Sequence, residues 1–551
     1  MLNEGSTETG VAWPADRAAA YVALGCWRGM PLGSLLWQWA GRSGDRIAVV
    51  DGDVRLSYRD LAAGSDALAE RLAGLGLGRG DRVLLQLPNC WEFVVVTLAC
   101  FRLGVAPVMM LPAHREYELA SIGAHVRAKA VIVPDRWRDF DHEQLAHRVV
   151  EQWDTPATVM VVGDPVRATS VGLRALMTPD GDAGSRRRRL DERAPASSDV
   201  ALFLLSGGTT GVPKIIGRTH DDYEYNIRCC VDACAFDAET VYLTVLPAGH
   251  NFPLANPGIL GTLYAGGRVV LVPSPRPEVV FAAIEQERVT ATSAVPAVAL
   301  RWVAAVGAHD LSSLRFVHIG GATLAPTTAA HIATTLHCQL QQVYGMAEGL
   351  ICYTPPHAPH HIAHHTQGKP ISPHDELHII DTHGNPQPPG HTGELLTRGP
   401  YTPPGYHNAP TQNTTSYTPD GWYRTGDLVH LTPDGNIVIT GRVKDLINRG
   451  GEKISAGEVE TLVQEMPQVV EVAAVATPDP EVGERVCLFV RLGAGCSLSL
   501  EDIATALTAR GLAAFKIPER LIILEDLPHT AVGKPDKKIL RSLLDEAPRQ
   551  R

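Results

Sequence analysis

Residues 206–214 read SGGTTGVPK and directly follow an apolar run, ALFLL at 201–205. The run has the length and composition of a strand. Behind it, Gly207, Gly208 and Gly211 free the backbone to take positive φ and to come close to a ligand. Ser206, Thr209 and Thr210 supply hydroxyls, successive N–H groups suit an anion-binding nest, and Lys214 adds a cation. A triphosphate fits that set. Pro213 and Lys214 stand where the Walker pattern needs Gly-Lys-Ser, so this is not the loop of an ordinary P-loop NTPase.

Outward from the loop, residues 82–87, 130–133, 159–162 and 268–272 read as further short strands and 89–103 as a helix. Such alternation predicts an α/β architecture with largely parallel sheets. The 551 residues exceed the roughly 250–300 that one core holds, so two or more domains are expected. Composition changes near Arg442, which sets 1–443 apart as a large domain of layered sheets and helices and 444–551 as a small α+β domain. Residues 182–199, with arginines at 186–189, read as an exposed linker carrying a solvated charge run. The His- and Pro-rich stretch 357–383 reads as a surface loop, not a metal site.

The net charge of −11 argues against nucleic acid or an anionic membrane as partner, so any anionic ligand needs a local cationic patch. The most apolar stretch, 93–111, is interrupted by Arg102 and Gly104 and reads as a buried helix and strand. Ten cysteines over this length form no disulfide framework; Cys229, Cys230 and Cys234 read as buried free thiols. With no signal-peptide pattern at 1–14, a cytoplasmic setting is expected.

Four more segments complete the pattern: YGMAE at 344–348, YRTGD at 423–427, GRVKDLINRGGEKISAGEVE at 441–460 and PHTAVGK at 528–534. In order and spacing the chain resembles the adenylate-forming superfamily of acyl-CoA ligases, luciferases and nonribosomal-peptide adenylation domains. The resemblance spans nearly the whole chain. It implies ATP and Mg²⁺ as cofactors and a C-terminal domain that moves between two half-reactions.

Each residue suits its implied role. Asp427 offers two oxygens to the ribose hydroxyls, Tyr344 a face for adenine, and Arg442 a donor to ribose or phosphate. Glu348 is a hard ligand for Mg²⁺. Gly320, Gly321, Ala322, Gly345 and Met346 complete the nucleotide set by resemblance. A carboxylate is already ionised at pH 7, so its attack on the α-phosphate needs charge relief and alignment rather than a base. Lys534, on a glycine-flanked loop, suits that task. Lys444 is the implied hinge, and Gly450 and Gly451 an implied wall of the thiol channel.

Within the superfamily, residues 249–271 and 344–354 are most similar to the aryl-acid adenylating enzymes typified by 2,3-dihydroxybenzoate–AMP ligase. By position the acid pocket takes His250, Asn251, Phe252, Asn256, Gly321, Ala322, Val343 and Ile351, with His250 also among the catalytic residues. Asn251 can bond an ortho substituent while Phe252 and Ile351 bracket a flat ring. Residues 248–252 hold no Asp or Glu, which argues against an α-ammonium substrate. Pro253 and Pro257 are expected to keep the segment non-helical.

Family members for dihydroxybenzoate typically carry serine at the position of Asn256, and those for salicylate cysteine. Asparagine there admits 3-hydroxypicolinate or a hydroxyanthranilate-type acid, or simply packs at the rim. The resemblance implies siderophore or nonribosomal-peptide biosynthesis, with a carrier protein in trans as thiol acceptor. Coenzyme A is the alternative acceptor, and a catalytically inactive ligand-binding relative is the non-enzyme alternative.

Overall fold

The structure, a computed structural model, describes residues 12–206, 213–322, 324–449, 452–479, 482–510, 512, 514–530 and 533–546. Two large sheets dominate it. The seven-stranded one carries Arg82–Leu85 at its middle, with Ala106–Met109 and then Val200–Ser206 on one side and Ala130–Pro134 and Thr158–Val162 on the other. All of these run parallel; Lys214–Thr219 closes the edge antiparallel to Val200–Ser206.

The nine-stranded sheet likewise has a parallel centre, with Val241–Thr244, Ala291–Ala294, Phe316–Gly320 and Gln339–Met346 among its strands. Parallel strands buried on both faces read as continuous apolar runs, which is how the sequence disclosed those at 82–87, 130–133, 159–162, 201–205 and 268–272. From residue 376 the pattern changes. Glu376–Ile380, Gly393–Arg398, Tyr423–Leu431 and Ile437–Arg442 form an antiparallel four-stranded sheet. The last sheet starts at Leu446–Arg449 and is built on the long hairpin of Val469–Asp479 with Gly483–Leu492. Its own core includes Ile447, Val459, Val463, Val472, Leu488 and Ile503.

The apolar stretch folds as the helix Trp91–Leu103 and the strand Ala106–Met109. Arg102 is buried in that helix because Asp66 takes its Nε at 2.6 Å and Asp191 its Nη1 at 2.8 Å. No helix among the described residues is long and apolar enough to cross a membrane. All ten cysteines are free, with Cys229, Cys230 and Cys234 buried.

Two expectations fail. The stretch 182–199 contains the helix Ala183–Glu192, started by Asp182, whose carboxylate accepts from Gly184 and Ser185 N–H. Its Arg186 is buried against Glu70 and Asp180, and Arg189 also reaches Glu70. An arginine run supplied with carboxylates from elsewhere folds down rather than staying solvated. Residues 251–255 are also helical, a single turn from Asn251 to Ala255. Pro253 is tolerated because first-turn N–H groups have no partner within a helix. The histidine stretch is mixed: His360 and His361 lie at the surface, while His364 is buried.

Candidate active site

The parallel strands of both sheets deliver their carboxyl ends to one region, where ligands settle in open α/β sheets. Ser206 ends one strand, and Gly320, Val343, Tyr344, Gly345 and Met346 end two others. Ser206 pairs in register with Lys214, so the glycine-rich segment joins two strands, where a P-loop would lead into a helix. Gly207, Gly208, Thr209 and Thr210 lie outside the described residues, as do Gly450 and Gly451. Gly321 (φ +83°) and Ala322 are exposed beyond the strand end.

Register places the next pair. Asp427 and Arg442 are direct partners on the antiparallel strands Tyr423–Leu431 and Ile437–Arg442. Arg442 Nε lies 2.8 Å from Asp427 Oδ1, and the Tyr344 hydroxyl donates to Oδ2 at 2.8 Å. Each carboxylate oxygen keeps a second lone-pair direction, so the buried Asp427 is held in place and can still accept more donors.

Lys214 and Glu348 meet through a residue that the sequence motifs do not mark. Lys214 Nζ donates to the Tyr406 hydroxyl at 3.2 Å and lies 4.6 Å from the centre of its ring. The same hydroxyl donates to Glu348 Oε1 at 2.9 Å. Burial, and then the Glu348 carboxylate, push the Tyr406 pKa up, so it stays a donor. Tyr406 stands in YTPPGY (401–406), a loop without periodicity. Only the fold brings it between a cation and an anion.

Lys534 comes in from the C-terminal sheet's side. Its loop reaches across to Val295, whose Cγ2 would be 3.9 Å from a Cβ on Gly533. Burial, then the nearby Arg442, lower the Lys534 ammonium to about 8; Lys444 acts in the same sense and Asp427 against it. Lys444 is exposed on the short turn Val443–Asp445. The next residue, Asp445, is tied to Lys537 and Arg541 of the last helix.

His250 caps the Asn251–Ala255 turn, its Nδ1 accepting from Phe252 N at 3.3 Å. Nε2 therefore carries the proton in the neutral ring. Solvent reaches His250, yet the protein around it, and then the Lys534 charge, hold its pKa down at about 4. At neutral pH the imidazole is an uncharged N–H donor beside a lysine.

Phe252, Val343 and Ile351 belong to one buried apolar cluster. Gly320 has no Cβ where one would stand 3.4 Å from the Phe252 ring and 2.9 Å from the Val343 carbonyl oxygen. A Cβ on Gly345 would stand 3.2 Å from Ile351. These three apolar side chains are thus packed together beside the strand ends at Gly320 and Gly345. Two buried amides lie on the segment of Phe252: Asn251 Oδ1 accepts from the Tyr223 hydroxyl at 2.8 Å, while its buried Nδ2 has no partner among the described residues. Asn256 is buried, and its carbonyl accepts from the Tyr353 hydroxyl.

The arrangement offers a carboxylate held by a guanidinium and a phenol, a cation and an anion joined through Tyr406, and an ammonium on the chain beside Gly533. A family model described as AMP-binding enzyme matches residues 36–407, and its C-terminal domain model matches 458–534. A Streptomyces protein, salicylyl-CoA synthase / salicylate adenylyltransferase, is 54% identical, with 97% of each chain covered. The 2,3-dihydroxybenzoate-AMP ligase of Bacillus subtilis is 45% identical, again over 97% of each chain. Among solved structures, apo MbtA of Mycobacterium smegmatis superposes with a TM-score of 0.74 at 43% identity, covering 97% of this chain and 98% of that one.

Proposed function

The chain belongs to the AMP-binding enzyme family, and we propose that it activates an aryl carboxylic acid with ATP. The acid's carboxylate oxygen bonds to the α-phosphorus, the bond to the bridging oxygen breaks, and pyrophosphate leaves. A phosphopantetheine thiol then attacks the acyl carbonyl, giving a thioester and AMP. The observation that supports this reading is the Asp427 carboxylate held at 2.8 Å by both Arg442 and Tyr344. Lys534 lies on the loop that reaches Val295, near enough for Arg442 and Asp427 to act on its charge. From there its ammonium relieves repulsion between two anions without acting as a base.

In this reading Asp427 accepts from the ribose hydroxyls, Arg442 donates to ribose or phosphate, and Tyr344 backs the adenine. Residues 206–210 and Lys214 hold the phosphates, while Gly320, Gly321, Ala322, Gly345 and Met346 shape the nucleotide cleft. Glu348 fits Mg²⁺, which takes one or two carboxylates together with substrate phosphates. Bound there, Mg²⁺ neutralises phosphate charge. His250, neutral, adds an N–H without adding repulsion.

The acid type rests on reading this apolar cluster and its two amides as a slot for the ring. Phe252, Val343 and Ile351 suit a flat ring, and the unpartnered Nδ2 of Asn251 suits an ortho oxygen. The thiol belongs to a carrier protein, as in siderophore or nonribosomal-peptide assembly. Coenzyme A is the second reading, favoured by the name of the Streptomyces relative. We assign residues 1–443 to nucleotide and acid binding and 444–551 to a unit that turns about Lys444 between the two steps.

ATP–pyrophosphate exchange across benzoic, picolinic and anthranilic acids tests the first step, with ortho-hydroxylated or heteroaromatic acids expected to lead. Preference for an α-amino acid would defeat the aryl assignment. Thioester formation with coenzyme A and with carrier protein, measured side by side, decides the acceptor.

A further inference from the structure

The helix His220–Ala233 runs behind the acid slot and starts on a capping box. Thr219 Oγ1 accepts from Asp222 N, and Thr219 N–H donates to the Asp222 carboxylate. Two of its side chains, Tyr223 and Asn226, lie three residues apart and so share a face. Each holds one amide of the slot. Tyr223 takes Asn251 Oδ1, as described above, and Asn226 takes Asn256.

Asn226 is fully buried, and its Nδ2 lies 2.9 Å from Asn256 Oδ1 and 3.3 Å from the Ala255 carbonyl oxygen. A carbonyl oxygen only accepts, so Asn226 must turn its NH₂ toward Ala255. The Asn256 atom facing that same NH₂ must then be its oxygen. The orientation is thus read through a chain of partners anchored on a backbone carbonyl. Reversing Asn226 would set two oxygens against each other. The orientation seen leaves Asn226 Oδ1 buried without a partner among the described residues. Cys230 Sγ also lies 3.8 Å from Asn256 Oδ1, and Tyr353 holds the Asn256 carbonyl. With its oxygen engaged, Asn256 has its Nδ2 left to meet a ligand.

We infer that Asn226 is a positioning residue that makes Asn256 a hydrogen-bond donor to the substrate, so the preferred acid carries an acceptor, such as a ring nitrogen or an ether or carbonyl oxygen, at the ring position facing Asn256. This inference rests on the aryl-acid reading of the slot. Both slot amides then present N–H groups, and an amino or other donor substituent facing Asn256 is rejected. Placing donor against donor leaves both unpaired, the situation in which polar pockets discriminate most strongly.

The test is pyrophosphate exchange with salicylate, its ring aza analogues and the amino-substituted salicylates, comparing kcat/KM between the aza and amino members at each ring position. At one position the aza acid should exceed its amino counterpart by at least about tenfold. In Asn226→Asp, an acceptor replaces the donor behind Asn256, the Asn256 amide turns round, and that ratio should reverse. Should this variant fail to fold by thermal melting, Asn256→Asp still accepts from Asn226 but offers oxygen instead of NH₂, and the same reversal is expected. Equal kcat/KM for the aza and amino members at every position overturns the inference. So does a variant that lowers all acids by a common factor. Exchange with no aryl acid at all overturns the reading beneath it, a separate outcome.

Discussion

Asp427 already has both oxygens engaged, by Arg442 and by Tyr344, before any nucleotide arrives. Replacing it with alanine removes the acceptors proposed for ribose and unpairs two donors at once. A hydrogen bond to a charged group contributes about 1.5–3 kcal/mol, so ATP affinity in Asp427→Ala should fall by one to two decades in calorimetric titration. Unchanged affinity would refute the ribose assignment. Asp375 poses a different residue-scale question. Burial drives its pKa up to about 8, although the Tyr401 hydroxyl donates to Oδ2 at 2.5 Å. An unfolded aspartate titrates near ~3.9, so the folded form favours the proton. The linked stability is complete below the unfolded value and is lost as pH rises from there through about 8. Asp375→Asn mimics the protonated form, and its melting temperature should vary less between mildly acidic and mildly alkaline buffer than that of the unaltered protein.

At the scale of elements, the proposed acid slot depends on one tight junction. Gly258 follows the Asn251–Ala255 turn at φ +53°, and a Cβ there would stand 2.1 Å from the Pro253 carbonyl oxygen. Both the conformation and the space exclude a side chain. Gly258→Ala should therefore lower the melting temperature by a few degrees and raise KM for the acid more than KM for ATP. Equal effects on the two substrates would show that the turn does not shape the slot. The hairpin of Tyr423–Leu431 with Ile437–Arg442 sets the Asp427–Arg442 pair by register. A one-residue slip there turns Arg442 to the other face.

Across the whole molecule, the proposed chemistry depends on a lysine from the last sheet's side reaching Asp427 and Arg442, which the antiparallel four-stranded sheet holds. Lys534→Ala should abolish pyrophosphate exchange while leaving thioester formation from supplied acyl-adenylate largely intact. Equal loss of both steps would sink the two-conformation account. The depressed Lys534 adds a pH signature. In the free enzyme the ammonium gives way to the neutral amine as pH rises through about 8. Bound phosphates favour the charged form. Hence kcat/KM for adenylation should fall above that pH, whereas kcat should hold to higher pH. Parallel profiles would mean that Lys534 does not meet the phosphates.

The sequence by itself determined the α/β class and the family, and it marked Asp427, Arg442, Glu348 and Lys534 as candidates for the proposed chemistry. These signals are local: apolar runs of strand length, glycines at a loop, and charged residues at fixed spacing. Tertiary structure alone decided how those residues are supported. Tyr406 comes between Lys214 and Glu348, and Asn226 comes behind Asn256, through partners that no periodicity connects. Burial of Arg186, which looked solvated, likewise needed carboxylates from other segments. The helical turn at Asn251–Ala255 was hidden because proline is excluded from helix interiors but not from a first turn. The polarity of the slot is the clearest case. An asparagine carries a donor and an acceptor in every sequence, and only the partner facing it fixes which one a ligand meets.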